Sequence, residues 1–222
     1  MTVLHLAAEG EAADLAAFLS RLLHYDRGAA VRLQAAGTAL AVFGRPPSFE
    51  VLAVRAVRLA KPYENGLDVT LDLTVSAGEL LESVDEQAAT AVVPGAVTGP
   101  PWAGVLPPRG GWRPEPGLPA PDALRSLVAA VVAEFRSRTQ ELPSERRTRA
   151  ELDRIGRDIW SRTVADTRLP VRAVHAAQSL GFLRPEVPLG LFSSGAWLRL
   201  RTPYGSIAVR RAGLGALDVS VR

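Results

Sequence analysis

Between Pro94 and Pro121, 15 of 28 residues are proline or glycine, and no other stretch limits the fold as much. Proline supplies no backbone N–H and fixes φ, so neither a helix interior nor a central strand can run through such a segment. Proline-rich chain serves either as a semi-rigid spacer in water or as an ordered strap laid over other structure. Trp102, Val105, Leu106 and Trp112 lie within it. Leaving four large apolar side chains in water is unfavourable, which favours a strap. The same segment is the expected domain boundary. It divides the chain into an α+β sheet domain over 1–92, a strap or linker over 93–121, and a helical and β-hairpin domain over 122–222.

The fold class follows from periodicity on each side. Leu15, Phe18, Leu19, Leu22 and Leu23 recur at three- and four-residue steps, the mark of an amphipathic helix. Short strands are expected at Thr2–Leu6, around Val31–Gln34, at Ala39–Phe43 and at Phe49–Leu59. A turn at Glu64-Asn65-Gly66 precedes the clearest alternation, Val69, Leu71, Leu73 and Val75 against Thr70, Asp72 and Thr74. Hairpins in series imply an antiparallel sheet with the first helix on one face.

Beyond the strap, Leu124, Leu127, Val128, Val131, Val132 and Phe135 predict a second helix. A third is predicted over about 144–164 and a fourth over 170–180, stopped by Gly181. Trp197–Arg201 and Ser206–Arg210 flank Thr202-Pro203-Tyr204-Gly205, which suits a type I turn, and a last strand is expected at Leu217–Val221. The class is therefore α+β. By topology alone, two helices followed by a hairpin have the order of a winged helix-turn-helix; no motif carries a family resemblance.

Charge is unevenly placed. Residues 1–120 hold 9 basic and 13 acidic side chains, a balance of −4, whereas residues 121–222 hold 17 and 10, a balance of +7. Such asymmetry suits contact with an anionic partner or attraction between the halves. Lys61 is the single lysine among 26 basic residues, so codon usage accounts for part of the arginine content. In the winged-helix reading, Arg168, Arg172 and His175 belong to the recognition helix and its approach. Arg199, Arg201, Arg210 and Arg211 lie on the wing, where guanidinium groups meet phosphates. Arg146, Arg147 and Arg149 are the other candidate anion contacts. Arg154 and Arg157 are expected to be neutralised by Asp158 and Asp153 four residues away. Trp102 and Trp112 are candidate anchors for a protein partner.

Several chemistries find no support. The absence of cysteine excludes disulfides, thiolate metal sites and a cysteine nucleophile. His5, His24 and His175 have no metal-ligand spacing, and neither metal nor cofactor is expected. His24-Tyr25-Asp26 collects proton-carrying groups, as turns commonly do. Gly213-Leu214-Gly215 lacks the third glycine of a dinucleotide fingerprint, and no P-loop or nucleophile elbow is present. No apolar run approaches the ~20 residues of a membrane span. Glu9, Glu11 and Asp14 do not suit a signal peptide, so a soluble cytoplasmic protein is expected. The leading expectation is a non-enzymatic binding or regulatory protein whose basic C-terminal half contacts nucleic acid or an acidic partner. The alternatives are a homodimeric assembly protein and an enzyme whose site is gathered from distant segments.

Overall fold

The computed structural model describes residues 2–47, 49–60 and 71–211. Strand β1 (Val3–His5) leads into helix α1 (Glu9–Tyr25), whose buried stripe is Ala12, Leu15, Phe18, Leu19 and Leu22. Strands β2 (Ala30–Ala36), β3 (Ala39–Gly44) and β4 (Leu52–Arg58) follow as an antiparallel meander. Gly37, at φ +59°, makes the first of its turns. Strand β5 (Leu71–Ser76) returns to pair with the outer side of β2. Helix α2 (Ala77–Glu82) begins at Ser76, whose Oγ accepts from the Glu79 N–H. Strands β6 (Val84–Asp85) and β7 (Thr90–Val92) then join β1 in a small three-stranded sheet.

After the strap come β8 (Arg113–Glu115), α3 (Pro121–Gln140), α4 (Arg149–Trp160) and α5 (Val171–Ser179). Strands β9 (Gly190–Ser194), β10 (Trp197–Thr202) and β11 (Gly205–Arg210) complete the described chain. Helices and antiparallel sheets together make an α+β protein. The third helix is shorter than expected: residues 144–146 form one 3-10 turn, and α4 starts only at Arg149. Thr148 and Glu151 explain the start, because the threonine Oγ1 accepts from the Glu151 N–H, half of a capping box. Helix α5 ends as expected at Gly181, φ +74°. The Phe182 N–H reaches Ala177 O at 2.8 Å and the Gly181 N–H reaches Gln178 O at 3.0 Å, the two bonds of a Schellman cap.

One sheet of eight strands, in the order β5-β2-β3-β4-β11-β10-β9-β8, runs through both halves of the chain. The joint is β4 against β11, with Val54, Ala53 and Leu52 opposite Ser206, Ile207 and Ala208. Sequence periodicity implies a core for residues 1–92 alone. The principal core instead runs from Leu4 through Val75 and Leu80 to Leu124, Ile159, Val174 and Ile207. Leu71 and Leu73 are only half-buried, because β5 is an edge strand. The turn at 64–66, residues Val69 and Thr70, and the strand at 217–221 lie outside the described residues.

The winged-helix expectation gives way here. Hairpin β10–β11 sits inside the sheet, not free beside it. Helix α5 buries Val171, Ala173, Val174, Ala176 and Ala177 and packs on β11, leaving Gln178 as its one fully exposed side chain. A helix held in this way, with Arg172, His175 and Ser179 half-buried, offers little face to place in a groove.

The helices occupy one face of the sheet and the strap occupies the other. At the β5 edge the Val97 N–H bonds Thr74 O at 2.9 Å, and Ala96 bridges to Val75. At the far side the Ser194 Oγ of β9 donates to Gly110 O at 3.1 Å. Six interstrand steps separate β5 from β9, roughly 29 Å at ~4.8 Å each. The residues between 97 and 110 cover that span even with a 3-10 turn at Pro101–Gly104, since proline favours extended chain on either side of it. Trp102 and Leu106 close a second, smaller core against Phe43, Leu52, Val54 and Ala208. The composition that rules out helix and central strand thus suits a crossing.

Candidate binding site under the strap

Strand alternation places Trp197, Arg199 and Arg201 of β10 on the strap face, while Leu198 and Leu200 are buried on the opposite face, Leu200 in the principal core. Arg199 stands opposite Ala208 of β11, with Ser206 on the diagonal. Its Nε donates to Ser206 Oγ at 2.8 Å, and its guanidinium carbon stands 5.6 Å from the centre of the Trp112 ring. Trp112 is held in turn, its Nε1 donating to Pro108 O at 3.0 Å.

The guanidinium borders a cavity of about 250 Å³ between strap and sheet. Ala39, Ala41, Phe43 and Val54 form its floor, Pro107, Pro108 and Arg109 its roof, and Gln34 its far end. The volume exists because β3 presents alanine at 39 and 41, opposite Arg58 and Ala56 of β4, where larger side chains would reach the strap. Gln34 is fixed by Asp72, whose two carboxylate oxygens accept from its Nε2 at 3.3 Å; Asp72 also accepts from Arg32 Nε at 2.8 Å. Burial, with Arg201 close by, pulls the Arg199 guanidinium below its ordinary range. Among the described residues, no carboxylate forms an ion pair with Arg109, Arg199 or Arg201. Among the described residues this partly desolvated charge has no internal counter-charge, the reverse of the usual rule for buried cations.

The residues singled out in the sequence therefore part company. Trp102, Trp112, Arg199 and Arg201 meet on the strap face, and register puts the exposed Arg210 on the same side. Arg211 instead bonds the backbone at Gly195 and Ala196. The helical candidates are elsewhere. Arg147 caps the end of α3 through Leu142 O at 2.9 Å and Gln140 O at 2.7 Å. Arg149 faces Asp153 at 3.5 Å and Arg168 pairs with Glu115 at 3.1 Å. Arg146 is exposed at the corner between α3 and α4. The Arg172 Nε is buried 4.0 Å from Glu50 Oε2, too far for a hydrogen bond. His175 is half-buried among aromatic rings, stacked on Trp160 at 4.6 Å and edge-on to Phe49 at 5.0 Å.

The expected pairing within α4 is also different. Arg154 bonds Glu151 at 2.7 Å, and Asp158 reaches Arg138 at 2.6 Å and Arg162 at 3.2 Å. With Glu134, these last three form a four-membered network at the α3–α4 contact, and the arginines hold both carboxyls below their usual range.

Arg109, Gln34, Ala41 and Ser206 have no linear signal that marks them as a site. Only the pairing of β4 with β11 brings them together. Arg55 is likewise unmarked in the sequence, yet it is 5% exposed on the helix face and reaches Asp14 at 3.0 Å, Glu11 at 3.4 Å and Tyr204 O at 2.7 Å.

Fold and site together define an α+β protein with helices on one face of an antiparallel sheet and a strap-covered, cation-lined hollow on the other. Residues 1–104 match the model of a domain of unknown function, DUF8010, and residues 107–214 that of another domain of unknown function, DUF8185. No curated protein matches the chain. The two matched ranges meet within the strap, and the cavity takes its floor from the first and its roof and Arg199 from the second. Among the described residues, no group of three or more His, Asp or Glu is placed to hold a metal ion, and no helix is long and apolar enough to cross a membrane.

Proposed function

We propose that the chain is a non-enzymatic binding protein that engages an acidic partner through the strap face of its sheet. The observation that carries this reading is Arg199, a half-buried guanidinium bordering a cavity and, among the described residues, paired with no carboxylate. Arg201 and Arg210 extend the positive field along the same face. Carboxylates suit such a face, since the guanidinium fork offers paired N–H donors matched to their geometry. Duplex nucleic acid is the weaker candidate. The arginines before and within α4, and Arg168 before α5, are partly consumed by Asp153, backbone carbonyls and Glu115.

Fluorescence anisotropy with labelled poly-L-glutamate and a labelled DNA duplex, each at two salt concentrations, separates the ligands. Poly-L-glutamate should bind, weaken as salt rises, and lose about tenfold in affinity when Arg199 and Arg201 are both replaced by Gln. Undiminished binding by that variant would remove the strap face from consideration. Duplex binding that survives R199Q/R201Q and falls with changes at Arg146 and Arg149 would restore the nucleic-acid reading.

A further inference from the structure

The chemistry of the cavity is more specific than a charged surface. We infer that it binds a small carboxylic acid with an apolar body, carboxylate on Arg199 and hydrocarbon over Ala41, Phe43 and Val54, beneath Pro107 and Pro108. This rests on the strap face being the anion-binding face and adds the class of ligand.

Three properties of the space select that class. The first is size: about 250 Å³ falls just below the usual ~300–1,000 Å³ of ligand pockets. At ~30 Å³ for each water displaced, it admits a ligand of about eight non-hydrogen atoms. The second is the division of polarity. The lining between Arg199 and Gln34 is mostly alanine, phenylalanine, valine and proline, and Arg199 and Arg109 supply the charge. A ligand ionised at every end would leave that apolar lining in contact with charge. The third is the state of Arg199. Ser206 takes Nε and the Trp112 ring flanks the group, so its position is set before a ligand arrives. The terminal guanidinium nitrogens remain for a planar monoanion, which a carboxylate satisfies with two parallel bonds. A fixed donor also loses less entropy on binding than a mobile one. Both matched ranges contribute, so the complete site exists only when β4 and β11 are paired.

Isothermal titration calorimetry on the whole chain tests this with hexanoate, hexanol, acetate and inorganic phosphate as probes. Hexanoate should bind, and hexanol and acetate should each bind at least about tenfold more weakly, lacking the charge or the apolar body. Arg199→Gln should weaken hexanoate by about tenfold or more. Ala41→Leu, which fills the floor, should remove hexanoate binding. Ala39→Leu repeats the test at the neighbouring floor position should A41L disturb the sheet, and a thermal melt shows which of the two is folded.

Hexanol binding equal to hexanoate, or phosphate binding more tightly than hexanoate, would overturn the inference. So would hexanoate binding untouched by both A41L and R199Q. If poly-L-glutamate binds through Arg199 and hexanoate does not bind, the small-ligand inference falls and the acidic-partner reading stands. If R199Q alters neither ligand, both fall.

Discussion

Arg55 and His175 show what single side chains do in this molecule. Arg55 is buried at the meeting point of α1, β4 and the β10–β11 turn, where Asp14, Glu11 and Tyr204 O accept from it while its Nε finds no partner. Removing one member of a buried ion pair strands the others, typically at a cost of ~3–5 kcal/mol. Arg55→Ala should therefore lower the free energy of unfolding by about that amount in a urea titration. Arg58→Ala, which deletes the exposed partner of Glu11, should cost less than ~1 kcal/mol. Equal effects from the two would mean that Arg55 is not the buried anchor.

His175 concerns protons. Burial between Trp160 and Phe49 holds its pKa below the ordinary 6.5, so the unfolded chain binds a proton there that the folded chain refuses. Stability contributed by this residue is present above pH 6.5 and is lost as pH falls through that value toward the lowered folded one. The carboxyls of Glu134 and Asp158, held low by Arg162 and Arg138, act in a separate and more acid range, below about 4.5. Midpoints of urea unfolding between pH 7.5 and 5.5 should fall for the parent and stay nearly level for His175→Phe. A parallel decline in both would assign the pH dependence to other groups.

At the scale of elements, legibility followed the length of chain over which a pattern is enforced. Helix α1, helix α3, the meander β2–β4 and the hairpin β10–β11 are all evident from periodicity, because each repeats its pattern over several turns or alternations. Strands β6 and β8, of two and three residues, are too short to set up any alternation. Helix α4 starts later than the Pro143-Ser144 start signal predicts, because that signal opens only a 3-10 turn and Thr148 with Glu151 makes the cap. The hairpin turn is held more firmly than its residue types suggest. Thr202 Oγ1 accepts from the Tyr204 N–H at 3.1 Å and donates to Gly205 O, and Gly205 abuts Phe182. A Cβ at 205 would stand 2.5 Å from the Phe182 ring, so a rigid neighbour must move. Gly205→Ala should destabilise by ~1–3 kcal/mol in a denaturant titration, as overpacking does. A neutral result would place the ring elsewhere.

For the whole molecule, the pairing of β4 with β11 is the step that sequence reasoning could not reach. Nothing in Leu52–Val54 names Ser206–Ala208 as its partner, since strand alternation fixes which face is buried but not which strand lies alongside. Without that pairing, Arg199 is a wing arginine and Trp112 a residue of a linker; with it they flank one cavity. The shared core argues that both halves unfold together. Calorimetric and van't Hoff enthalpies should agree for a single transition, and two resolved transitions would show that residues 1–92 and 122–222 are stable separately. Both edges of the large sheet are guarded, β5 by Ala96 and Val97 and β8 by its brevity and Pro114, which disfavours assembly by strand addition.

Recognition of an acidic ligand on the strap face is tested most directly by NMR, with the ¹⁵N-labelled 222-residue chain titrated with poly-L-glutamate. The expected result is movement of the Arg199 Nε–H together with backbone amides of Ala41 and Arg109, one from each matched range, while Arg146 and Arg149 stay in place. Shifts confined to α4 and its approach, with Arg199 unmoved, would contradict it.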